Sequence, residues 1–90
     1  MKKKWDISLQ IKYNSRLIGK LHNYLMTHAE VSEKLPNDSS YVVFSARNSQ
    51  LNKQNEKIVD KLLNEGKKNI IKAEETKSRN TPWKLTILAS

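Results

Sequence analysis

The sequence predicts a small α/β (α+β) domain: an N-terminal helix, then a β-α-β-β unit with a small three-stranded mixed sheet and helices on one face. Three observations carry this reading. Residues 13–28 place apolar side chains at helical spacing, a capped helix runs over about 49–65 and stops at Gly66, and β-branched or alternating runs lie at 41–44, 69–73 and 83–89. Each element follows from its local chemistry.

Tyr13, Leu17, Ile18, Leu21, Tyr24 and Leu25 form one stripe, with Lys12, Arg16, Lys20 and Asn23 off it. Gly19 falls on the wet side, where it leaves room for a close backbone approach. Residues 5–11 allow two readings. Trp5, Ile7, Leu9 and Ile11 alternate with polar residues as in a half-buried strand, yet Trp5, Leu9, Tyr13, Leu17 and Leu21 also make an i+4 row. The helix is favoured because no turn residue separates this stretch from the next, and Asp6 or Ser8 can cap it. Residues 28–35 read as a short second helical segment that Pro36 ends.

Tyr41-Val42-Val43-Phe44 is a buried strand. Asn48 or Ser49 caps the helix that follows, which turns Leu51, Ile58, Val59, Leu62 and Leu63 inward. Its outer face carries Lys53/Glu56, Lys57/Asp60 and Lys61/Glu65 at i+3 or i+4 spacing. Gly66 suits the left-handed position past a helix end, and Lys67-Lys68 suit the negative end of the dipole. A strand, a helix and a strand so tightly joined make parallel neighbours with a right-handed crossover. The last strand is then antiparallel to the second, giving the order 41–45, 69–74, 83–89. With both helices on one face, the other would expose a subset such as Tyr41, Val43 and Ile70, or Trp83 and Leu85. That surface is too apolar to stay wet, and it predicts a homodimer.

The chain has 90 residues and no Cys, which fits one domain and excludes disulfides and cysteine-based metal or nucleophile chemistry. Its 17 Lys+Arg exceed its 9 Asp+Glu, for a net charge of +8. The excess sits at the two ends: residues 1–28 hold six cations against Asp6, and residues 67–90 hold six against Glu74 and Glu75. If the ends meet, the basic face of Lys12, Arg16, Lys20, Lys77, Arg79 and Lys84 attracts phosphate-rich polymers. The preponderance of Lys over Arg also fits a merely solvated surface. Lys2-Lys3-Lys4 precedes no apolar segment, so neither a secretory signal nor a membrane span is expected, and a cytoplasmic setting follows.

Asn14, Leu17, Tyr24-Leu25, His28, Glu30 and Leu35-Pro36 make one half of a spaced pattern. Tyr41-Val42-Val43-Phe44, Asn48, Leu51-Asn52, Asn55, Ile58, Leu62 and Gly66-Lys67 make the other. Over about residues 12–88 the chain resembles a family of small prokaryotic α/β proteins classed as a domain of unknown function. Residues 1–11 lie outside the pattern. The resemblance implies the α/β fold and a cytosolic prokaryotic setting, and brings no catalytic residue.

Ligands of parallel sheets favour the carboxyl ends of the strands. Here that edge holds Ser45, Arg47, Asn48 and Ser49 at a helix N-terminus, a candidate anion or phosphate site without a glycine to wrap the ligand. Asn48, Asn52 and Asn55 crowd the same helix, and Asn52 and Asn55 are placed to bond the loop after residue 74 or a ligand. His22 and His28 do not share a helix face, and no metal or cofactor is expected. His28 reads as a helix C-terminal cap. Glu74 and Glu75 point to opposite faces if the strand reaches them, so they do not pair for acid–base work. Trp5 and Trp83 read as core plugs, though aromatics among cations also suit stacking on single-stranded nucleic acid. The expected function is therefore non-enzymatic binding of nucleic acid or a protein partner. The alternative is a phosphate or small-ligand site at residues 45–49.

Overall fold

The computed structural model describes residues 6–89. The elements are α1 (Ile7–Thr27), α2 (Ala29–Ser32), β1 (Ser40–Phe44), α3 (Ser49–Asn64), β2 (Ile70–Glu75) and β3 (Trp83–Ala89). The sheet order is β1-β2-β3, with β1 parallel to β2 and β3 antiparallel to it. Class, element order and strand directions are those the sequence predicts.

The open stretch before residue 13 is helical from Ile7. Asp6 supplies the N-cap, its Oδ1 accepting from the Ser8 amide at 2.9 Å and the Ser8 hydroxyl at 2.6 Å. Trp5, the first member of the i+4 row, lies outside the described residues. Coiling spreads Ile7, Leu9 and Ile11 over the exposed surface and turns Gln10 inward. Ile18, placed on the inner stripe by spacing, is also exposed. At the far end His28 is the C-cap, as expected. Its Nδ1 lies 2.9 Å from the Tyr24 carbonyl, and its ring stacks on Tyr24 with centroids 4.2 Å apart.

The Ser8 hydrogen bonds hold the Asp6 carboxyl below its usual pKa. A depressed folded pKa means that the cap contributes fully above the unfolded value and is lost as pH falls through the folded one. Thermal melts of wild type and Asp6→Asn should therefore differ at neutral pH and converge below about pH 4. A difference that persists unchanged at pH 3 would show that ionisation of Asp6 does not strengthen the cap.

α3 begins at its N-cap Asn48, whose Oδ1 accepts from the Leu51 amide at 3.0 Å. It closes in a Schellman turn around Gly66, at φ 76°, with Gly66 N–H donating to Leu63 and Lys67 N–H to Leu62. Asn69, at φ 58°, makes the second left-handed step before β2. Ile58 and Leu63 are exposed, and the buried row is Leu51, Asn55 and Val59. Glu56 reaches Lys72 on β2 at 3.7 Å, and Lys72 lies 4.9 Å above the Phe44 ring.

The layering is finer than periodicity reveals. Val43, Ala73 and Trp83 pack with Leu17 and Leu21 of α1, whereas Val42 and Phe44 pack with Val59 of α3. Alternate strand residues face opposite sides, so the two helices do not share one face. α3 packs chiefly on β1 and runs along its free edge, reaching α1 through Leu51 at one end and the opposite sheet face through Val59 at the other. The residues expected to form a wet apolar face are thereby covered within one chain: Val43, Ile70 and Trp83 are buried, and Tyr41 and Leu85 are half-buried.

Three asparagines make this edge packing possible. Ser40 directs its N–H toward β2, so Val43, three residues on, turns its carbonyl to the free edge. Asn55 Nδ2 donates to that carbonyl at 2.8 Å. The same nitrogen donates to Asn14 Oδ1 at 2.8 Å, while Asn55 Oδ1 accepts from Asn14 at 3.1 Å and from Gln10 at 3.0 Å. Each donor and lone pair of this fully buried amide is used. Asn52 treats Ser45 as a strand partner would, accepting its N–H at 2.7 Å and donating to its carbonyl at 2.8 Å.

Candidate functional site

At the carboxyl end of β1 the chain leaves the sheet through residues 45–48, with the middle of α1 and the end of β2 beside it. Between them lies a cleft of about 560 Å³. Tyr13, Arg16 and Lys20 line it from α1, Ser45, Arg47 and Asn48 from the β1–α3 connection, and Glu75, Thr76 and Lys77 from the end of β2. Leu17 and Leu51 form apolar wall. The cleft holds the cations Arg16, Lys20, Arg47 and Lys77 against the single carboxylate of Glu75. A second groove, of about 390 Å³, lies between α1, α2 and β3 and is mainly apolar, with one acid and one base, Glu30 and Lys34.

The two sets of residues proposed from sequence thus meet in part. Arg16, Lys20 and Lys77 of the basic face join Ser45, Arg47 and Asn48 of the loop. Lys12 is exposed on α1 one turn before Arg16 and outside the cleft wall. Ser49 is an exposed first residue of α3, and Arg79 is exposed in the β2–β3 connection; neither lines the cleft. Lys84 pairs in register with Glu74, and its neighbours Trp83 and Leu85 face α1. Lys84 therefore turns to the opposite side of the sheet.

The loop does not offer free amides, contrary to expectation. Ser45 N–H goes to Asn52 and Ala46 N–H to Glu75 Oε1 at 3.1 Å. Arg47 and Asn48 N–H both donate to Ser45 Oγ at 3.1 Å. The Ser45 hydroxyl and the Asn48 amide are thus structural, and the cleft's charge comes from side chains. Asn52 likewise bonds Ser45 rather than the loop beyond residue 74.

Glu75 and Tyr13 are the site residues that sequence reasoning passed over. β2 extends to Glu75, so Glu74 and Glu75 do face apart, and Glu75 shares the face of Ala73. That parity was the available signal. Glu75 Oε2 sits 3.4 Å from Lys20 Nζ, an ion pair with one half-screened and one well-exposed partner, worth little in stability. Trp83 is a core plug. His22 is exposed. Among the described residues no three His, Asp or Glu side chains group as metal ligands, and no helix is long and apolar enough to cross a membrane.

The fold and site together define a small α+β domain with a cationic cleft at the ends of its parallel strands. Residues 10–80 match a family of unknown function (DUF5647), and the chain belongs to that family. No curated protein and no solved structure matches it.

Proposed function

We propose that this protein is a non-enzymatic binding module for single-stranded nucleic acid, with the cleft as the place where phosphates dock. One observation carries the reading: Arg16 and Lys20 of α1, Arg47 and Lys77, from three separate stretches of the chain, converge on one concave site. Two of the four are Arg, the residue suited to bidentate phosphate contact. Lys12, Arg16 and Lys20 stand one turn apart on α1, so they span about 12 Å of helix. A row of that length outreaches a single phosphate and favours a polymer. The cleft's one carboxylate is tied to Ala46 and Lys20, and this supports binding rather than acid–base chemistry. Nothing in the reading requires a second copy. The concave shape of the cleft supports a second reading, a small phosphorylated ligand held at the same cations.

Fluorescence anisotropy with a labelled single-stranded oligonucleotide tests the proposal. Four phosphate contacts predict a log–log salt slope of about −3 on a single strand. Arg16→Ala/Arg47→Ala should bind at least ~10-fold more weakly at low salt and flatten the slope by about 1.4. Circular dichroism should show the variant folded, since both side chains point to solvent at the cleft. Binding that ignores salt, or a variant that binds like wild type, overturns the reading.

A further inference from the structure

A site built for polyanions alone would hold cations alone, and Glu75 breaks that pattern. Its carboxylate keeps 21% of its side-chain surface exposed inside the cleft. It is also held in place, Oε1 by the Ala46 amide at 3.1 Å and Oε2 beside Lys20 Nζ at 3.4 Å. A carboxylate oxygen accepts more than one hydrogen bond, so both retain capacity toward the open side. Tyr13 lines the same cleft and offers an aromatic surface.

A bare phosphate has only acceptors and like charge to set against Glu75. The ligand that suits both halves of the cleft is anionic at one end and presents N–H donors at the other. Among the RNA bases, guanine sets two adjacent donors, N1–H and N2–H, on its Watson–Crick edge. Adenine, cytosine and uracil each place an acceptor next to the donor, where its lone pair would face the carboxylate. We propose that Glu75 makes the cleft selective for guanine in a single strand. The carboxylate receives N1–H and N2–H, the base lies on Tyr13, and the flanking phosphates fall to Arg16 and Arg47. The Ala46 amide is a positioning group that fixes the carboxylate. This inference rests on the cleft binding nucleic acid, as proposed above.

The test uses the full chain and uridine heptamers with a central guanosine, inosine, adenosine or uridine, at low salt. Wild type should bind the guanosine strand ~10-fold more tightly than the adenosine strand, the discrimination expected of one bidentate pair. Inosine, which keeps N1–H and lacks the 2-amino group, should fall between them. Glu75→Gln should bring the guanosine strand to the level of the adenosine strand while the all-uridine strand binds at least as well as before. Equal binding of all strands by wild type overturns the inference and leaves the cleft reading standing. So does a Glu75→Gln protein that binds every strand more tightly but keeps their ratios, which would make Glu75 a counter-charge only. Failure of wild type to bind any strand overturns the cleft reading itself, and this inference with it.

Discussion

Asn55→Leu is expected to lower the unfolding free energy by about 3 kcal/mol, a large share of what a domain this small commands. Leucine keeps the four side-chain heavy atoms and the branch point of asparagine but is bulkier, so no void opens and crowding only adds to the loss. The main loss is polar: the variant strands the Val43 carbonyl and both ends of the Asn14 amide, and takes from Gln10 the acceptor its Nε2 uses, at a site asparagine buries completely. Each stranded buried group costs on the order of 1–3 kcal/mol, and partial rehydration of the half-buried Asn14 brings the sum down. For a chain of this length the midpoint of thermal unfolding should drop by roughly 15 °C. Urea unfolding followed by circular dichroism measures it. A loss below about 1 kcal/mol would mean that water reaches these groups and that the amide network does not bind α3 to the sheet edge.

Leu51→Ala is expected to cost about 3 kcal/mol as well, by a different route. Leu51 is 1% exposed and sits where the first turn of α3 meets Leu17 and Leu21 of α1 and Val43 of the sheet. Truncation removes buried methyl groups and leaves a void that neighbours on three elements cannot all close. Because Leu51 also forms cleft wall, the variant should weaken oligonucleotide binding while Ile58→Ala, at an exposed position on the same helix, should not. Near-wild-type unfolding of Leu51→Ala would show that α1 does not rest on this turn.

Much of this fold is legible in the residues, because strong local signals agree with one another. The β-branched run at 41–44, the Asn48 cap and the Gly66 stop each have one physical meaning, and together they require a parallel pair with a crossover. The amphipathic stripe of α1 locates its inner face but not its width, so Ile18 is misplaced by spacing alone. Gln10 and Asn55 are the harder failures. A hydropathy pattern assigns polar residues to water, and only the partner groups, 45 and 41 residues away in sequence, justify burying them. The candidate site shows the same division. Residues 45–48 are found from the strand-end rule, but whether their amides are free depends on Asn52 and Glu75, which only the three-dimensional arrangement brings near. Arg16 and Lys20 announce themselves by charge, whereas Lys84 carries the same charge and is sent to the other side by strand parity.

The asparagine-sealed rim of β1 also limits how such molecules can stack. A cross-β filament needs two unpaired margins per subunit, one to accept a neighbour and one to offer the next docking place. With the Val43 carbonyl and both Ser45 backbone groups bonded from within and α3 lying along that margin, strand addition is directed to β3, and it ends after a single join. The same amides that let a helix lie beside the sheet therefore act as a chain terminator against runaway polymerisation.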